Sequence, residues 1–152
     1  MVEPYAVKEF KNSWYLIAVE TSNAECTAKT FGLDRISDLD INTKLFEKRR
    51  VDINTMFTNS FGIISTEGEE PRKIVLSFDH YQGKFVKTLP LHHSQKTLIE
   101  NHDEFRIELT LVPTYDFYQE LLAHAERLTI LEPKEVKKEY TEFLKLSFNK
   151  NT

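Results

Sequence analysis

Hydrophobic and polar positions alternate through the first third of this chain in short runs divided by turn residues, the pattern of a β-meander. Pro4–Glu9 reads as a strand, and Lys11-Asn12-Ser13 supplies turn chemistry after it. Trp14–Thr21 is rich in β-branched and aromatic residues and reads as a central strand. Ser22-Asn23-Ala24-Glu25 then turns the chain into a third strand, Cys26–Leu33. Ile36–Ile41 is expected as a fourth, with Ile36, Leu39 and Ile41 set loosely among polar residues. A small curled barrel would bury both faces of such strands, but it needs about five of them. The barrel is therefore expected to be short of one strand.

The pattern changes after a connector over residues 46–71. This stretch carries the basic run Lys48-Arg49-Arg50, a short helix capped at Asp52, Ser60-Phe61-Gly62-Ile63, and an acidic turn at Glu67-Gly68-Glu69-Glu70-Pro71. Beyond it, strands and helices alternate. Lys73–Phe78 is a strand, and Asp79 caps a helix over His80–Leu89 that stops before Pro90. Lys96–Glu100 and Glu104–Val112 form an antiparallel pair around Asn101-His102-Asp103-Glu104. Thr114 caps a helix with Phe117, Leu121 and Leu122 on one face. Leu128–Leu131 is a short strand, and a final helix from Pro133 carries Val136, Tyr140, Phe143 and Leu144. The order βαββαβ plus a terminal helix predicts an α+β unit of ferredoxin-like type.

Composition narrows the function. A net charge of −4 argues against a sequence-independent coat for DNA, which needs a large positive excess. A local basic patch is still compatible with it, because recognition follows charge distribution. The single cysteine, Cys26, can form no intramolecular disulfide, which suits a reducing cytosol. No apolar run approaches the roughly 20 residues of a membrane span, so no membrane association and a cytoplasmic location are expected. Eleven Phe, six Tyr and one Trp can fill a core.

The polar residues offer little catalytic chemistry. His80, His92, His93, His102 and His124 show no metal-ligand spacing on any one element, so neither a metal nor another cofactor is expected. His92 and Ser94 would share a strand face, but no nucleophile elbow precedes them and spacing supplies no acid to orient the histidine. In an extended link after Pro90 these side chains can instead bond exposed backbone groups. Basic triplets such as Lys48-Arg49-Arg50 are usually solvated; contact with nucleic acid is the less common use. On the strand around Trp14, alternation puts Trp14 and Leu16 on one face and Tyr15 and Ile17 on the other. One aromatic ring is thus expected to pack inward and the other to lie nearer the surface.

Two ordered sets of residues resemble a known family. Glu3-Pro4-Tyr5-Ala6, Lys11-Asn12-Ser13-Trp14-Tyr15-Leu16-Ile17-Ala18 and Phe31-Gly32-Leu33-Asp34-Arg35-Ile36 resemble the WYL domain, a sensing module of bacterial transcription regulators. Phe61-Gly62-Ile63, Leu89-Pro90-Leu91-His92-His93-Ser94-Gln95 and Leu131-Glu132-Pro133 resemble the C-terminal extension that accompanies it. Two departures stand out. The strand that normally precedes Glu-Pro-Tyr is missing, and the usual Phe-Arg-Leu-Asp-Arg-Ile has Gly32 at its first arginine.

The resemblance implies an Sm-like barrel over residues 1–45, lacking its first strand, and a ferredoxin-like extension over residues 72–152. It implies an effector-sensing, dimerising region without enzymatic activity, which controls an attached winged helix-turn-helix. That helix-turn-helix is not in this chain, so duplex DNA would be met only through it. Arg35 is implied to line the ligand surface, with Tyr5, Lys11 and Trp14 as its expected neighbours. Arginine beside aromatic rings suits a nucleotide or single-stranded nucleic acid, by paired hydrogen bonds to phosphate and by stacking on bases. The alternative is a standalone protein-interaction module with no small effector.

Overall fold

A computed structural model of the protein describes residues 1–22, 27–47 and 51–152. Cys26, most of the expected Ser22–Glu25 turn and the Lys48-Arg49-Arg50 run lie outside these residues. Among the described residues there are two antiparallel sheets and four α-helices. The chain divides into two compact units, Met1–Glu67 and Gly68–Thr152.

The first unit is built on a three-stranded sheet in the order β1 (Val2–Phe10), β2 (Ser13–Glu20), β3 (Ala28–Gly32). Lys11 and Asn12 join β1 to β2 with φ of 48° and 62°, the left-handed pair that a two-residue hairpin turn requires. β1 carries a bulge between Pro4 and Ala6, where Tyr5 is the additional residue. The core lies on one face of the sheet. Ile17, Val19 and Ala28 pack there with Met56, and Tyr5, Ala6, Ile53 and Phe57 close around them. Met56 comes from α1 (Ile53–Phe57), whose N-cap Asp52 accepts hydrogen bonds from the N–H groups of Asn54 and Thr55 at 3.0 and 3.2 Å.

The fourth strand expected over Ile36–Ile41 does not form. After β3 the chain enters a 3-10 turn, Leu33–Arg35, and residues 36–41 join no sheet. Asp38, with φ of 52°, interrupts the extended run. Leu39 and Ile41 are 77% and 83% exposed, so neither their side chains nor a neighbouring strand holds the segment in a ladder. The third strand is also shorter than Cys26–Leu33.

The second unit follows the sequence reading closely. Its elements run β4 (Arg72–Asp79), α2 (His80–Thr88), β5 (Lys96–Glu100), β6 (Glu104–Leu111), α3 (Tyr115–Leu122), β7 (Leu128–Glu132) and α4 (Lys134–Asn151). The sheet order is β5-β6-β4-β7, antiparallel throughout. Alternate residues of β4 and β6 are buried: Ile74, Leu76 and Phe78 on one, Phe105, Ile107, Leu109 and Leu111 on the other. Val86 of α2, Phe117 and Leu121 of α3 and Val136 and Tyr140 of α4 complete this core. Gly83 lets α2 approach the sheet, since a Cβ there would stand 2.3 Å from the Cβ of Phe105. Asp79 and Thr114 cap α2 and α3 through the N–H groups of Gln82 and Phe117. Tyr118 hydrogen-bonds Glu139, and burial together with that carboxylate pushes its phenol well above its ordinary pKa.

Candidate functional site

Strand pairing assigns the side chains of the first sheet to faces. Directly opposed residues in an antiparallel ladder point the same way. Ala6, Ile17 and Thr30 form one row across the three strands, and Lys8, Tyr15 and Gly32 form another. Ile17 belongs to the core, and Tyr15 lies two residues from it along β2, so both rows face the core side. Val7, Leu16 and Phe31 make a row on the opposite, outer face, which Trp14 and Glu9 share. Tyr15 is accordingly half-buried and Trp14 is 53% exposed. The two aromatics divide between inner and outer faces as alternation requires.

Arg35 ends the 3-10 turn that follows Gly32. Its side chain is 71% exposed, with Nε 4.0 Å from Oδ1 of Asp34. A Cβ built on Gly32 would meet Arg35 Nε and Nη2 at 2.7 Å each, and Asp34 Oδ1 at the same distance. The guanidinium therefore lies over Gly32 on the core side of the sheet, in the row of Tyr15 and Lys8.

The four residues expected together are thus only partly gathered. Lys11 occupies the hairpin turn and holds its ammonium 5.6 Å from the Phe10 ring centre. That turn is at the end of the sheet where Arg35 sits, because Tyr15 opposes Gly32. Trp14 is at the same end but faces away. Tyr5 packs on the core at the bulge, with its ring 6.3 Å from that of Phe46. It stands roughly 16 Å along β1 from the hairpin end, at the usual rise per residue.

Lys8 shares the core-side row of Tyr15. Its ammonium stands 4.8 Å above the centre of the Phe57 ring, and its side chain is half-buried. Alternation alone could have put Lys8 opposite Val7. It could not have said which of those faces is covered, because the bulge at Tyr5 breaks the alternation of β1.

The His92–Ser94 segment is held as a structural link. The Ser94 hydroxyl donates to the Thr110 carbonyl at 3.0 Å and accepts from the Thr110 N–H at 2.9 Å, and it lies 2.8 Å from His92 Nδ1. Gln95 accepts from the Leu91 N–H at 2.9 Å and donates to the Val86 carbonyl at 3.0 Å. The Ser94 oxygen is thus engaged by the backbone of β6, tying the exit of α2 to the sheet. Among the described residues no group of three or more His, Cys, Asp or Glu side chains converges as metal ligands. No helix is long and apolar enough to cross a membrane.

Residues 1–41 match the WYL domain and residues 70–145 match the WCX domain. The chain belongs to the WYL-domain proteins that carry a WCX extension. Among solved structures it is similar to proteasome accessory factor B/C (PafBC) of Arthrobacter aurescens, at 19% identity and a TM-score of 0.34. That likeness covers 91% of this chain and 20% of the other, so the chain spans about a fifth of its length. No curated protein matches the sequence.

Proposed function

We propose that this chain is the effector-sensing and dimerising region of a bacterial, cytoplasmic transcription regulator. The WYL and WCX matches support that class. In this reading the first unit is an Sm-like module and the second a ferredoxin-like one, for which the antiparallel order β7-β4-β6-β5 is the supporting observation. The effector is a nucleotide or a single-stranded nucleic acid. The observation that carries the reading is the Arg35 guanidinium, exposed over Gly32 with Asp34 at 4.0 Å as its ion-pair neighbour among the described residues. Such a group is available to take phosphate through two parallel hydrogen bonds.

Binding acts by population shift. An effector that prefers one arrangement of the region changes the disposition of an attached winged helix-turn-helix, and with it the affinity for duplex DNA. The strength of the response is limited by the difference in effector affinity between the two arrangements.

A second reading has an observation of its own. The outer face of the first sheet presents Val7 and Trp14, each more than half exposed, beside Leu16 and Phe31. An apolar face of this kind suits a protein partner. Fluorescence anisotropy with a labelled oligothymidylate separates the two. Saturable binding that weakens with salt supports the sensor. No binding of the oligonucleotide, or of nucleotides, transfers the assignment to the protein-interaction reading.

A further inference from the structure

We propose that His80 and His102 form a binding site for a divalent ion of the zinc type at one end of the sheet of the second unit. The two residues are far apart in the sequence, so no spacing on a single element announces them. Strand pairing brings them together. Asp79 ends β4 opposite Glu104, which begins β6. His80 follows Asp79 as the first residue of α2, and His102 stands in the turn between β5 and β6. Both supports are fixed. The Asp79 carboxylate caps α2 through the Gln82 N–H at 2.7 Å. The Asn101 side chain accepts from the N–H groups of Asp103 and Glu104, each at 2.9 Å, and so holds the turn.

Two features suit a metal. The first is the state of the His80 ring, whose Nδ1 lies 3.0 Å from the Asn101 carbonyl oxygen. A carbonyl only accepts, so Nδ1 carries the proton and Nε2 of the neutral ring keeps its lone pair. Ligating histidines are commonly oriented in this way, with a carbonyl on the nitrogen that does not bind. The second is the ring spacing. The centres of His80 and His102 stand 5.6 Å apart, with 35° between the planes. With metal–nitrogen bonds of about 2.1 Å, each ring centre would lie about 3.2 Å from the ion. The observed spacing then opens the nitrogen–metal–nitrogen angle to roughly 120°, near the tetrahedral value. A square-planar ion would need ring centres only about 4.5 Å apart, which favours zinc over copper or nickel.

Both rings are exposed, so the His102 ring turns freely to present a nitrogen. No third His, Cys, Asp or Glu side chain converges there among the described residues, and water completes the shell. The positive end of α2 opposes a cation, so the site is of moderate strength. The other histidines do not offer this arrangement. The rings of His92 and His93 are 4.1 Å apart, which would close the angle to roughly 80°, and His92 Nδ1 lies 2.8 Å from the Ser94 hydroxyl. His124 Nε2 is 3.5 Å from the Glu120 carboxylate. The competing explanation is that His80 and His102 are surface neighbours whose rings rest on each other. In that case a metal would not single them out.

The test uses the full chain without an affinity tag, stripped with chelator and then given ZnCl2, CoCl2 or, as a control, MgCl2. Substoichiometric CoCl2, a paramagnetic ion that also accepts tetrahedral sites, should broaden the imidazole NMR signals of His80 and His102 before those of His92, His93 and His124. Saturating ZnCl2 should raise the melting midpoint by about 3 °C or more, and MgCl2 should not. In calorimetric titration His80→Asn and His102→Asn should each weaken zinc binding at least tenfold and abolish the rise, whereas His93→Asn should leave both unchanged. Melts in chelator show whether the variants fold, and the cobalt signature in wild type depends on no variant. The proposal is overturned if cobalt broadens another histidine first or all five alike, if His102→Asn binds zinc as wild type, or if wild type binds no zinc.

Discussion

Arg35 occupies the space that a side chain on Gly32 would need. Its Nε and Nη2 lie 2.7 Å from where the Cβ would be. The WYL pattern usually has arginine at the position of Gly32, and here the neighbouring arginine settles over the bare backbone. The φ of Gly32 is −66°, an ordinary extended value, so alanine is tolerated there without backbone strain. Gly32→Ala should therefore change stability by no more than about 1 kcal/mol, the scale of a glycine-to-alanine entropy effect. It should nevertheless push the guanidinium aside and weaken oligonucleotide binding about threefold. Urea unfolding and anisotropy on the same variant check both halves.

The Ser94 link gives a stability prediction. Ser94→Ala leaves the Thr110 N–H and carbonyl without their partner on the strand edge. Losing a half-buried hydrogen-bonding group of this kind costs about 1–3 kcal/mol. Urea denaturation measures it, and a change below about 0.3 kcal/mol would show that water replaces the hydroxyl at no cost.

Phe143 leans on two rings of α3, with its centre 6.0 Å from that of Tyr115 and 5.2 Å from that of Tyr118. It is half-buried, unlike Val136 and Tyr140 on the same helix. Phe143→Ala should then cost about 1.5–3 kcal/mol, short of the penalty for a fully enclosed ring. A loss above about 4 kcal/mol would mean that the end of α4 is packed more tightly than this.

The elements that were legible in the sequence are those with a local cause. Asp52, Asp79 and Thr114 each cap the helix expected of them, because a cap is decided within three residues. The buried alternation in β4 and β6 was visible for the same reason. Ile36–Ile41 failed because a strand needs a partner, and loosely alternating side chains do not reveal that none is there. The site was harder still. Trp14 and Tyr15 could be placed on opposite faces, but only Met56, some forty residues on, decides which face is inside.

Acid should weaken the second unit through Glu104. Its carboxylate accepts from the Ser77 hydroxyl at 2.7 Å and from the Arg106 fork at 2.7 and 3.1 Å. The Ser77 bond first, and then Arg106, holds its pKa below the ordinary carboxylate value. With the folded pKa below the unfolded one, the stabilisation is present above about pH 4.3 and is lost as pH falls through the folded value. Urea midpoints should drop between about pH 5 and pH 3, and Ser77→Ala should flatten that drop. An unchanged slope in the variant would remove Glu104 as a contributor.

Arg35 is proposed to bind an anionic effector, and the affinity of a short labelled oligothymidylate for wild type and for Arg35→Ala decides whether it does. Arg35 is mostly exposed, so circular dichroism should report the same fold for both. The variant should lose about 1.5–3 kcal/mol of binding, the value of hydrogen bonds to a charged group, and show a shallower salt dependence. Equal affinity and equal salt slope in two well-folded proteins would contradict it and leave the outer face, with Val7 and Trp14, as the functional surface.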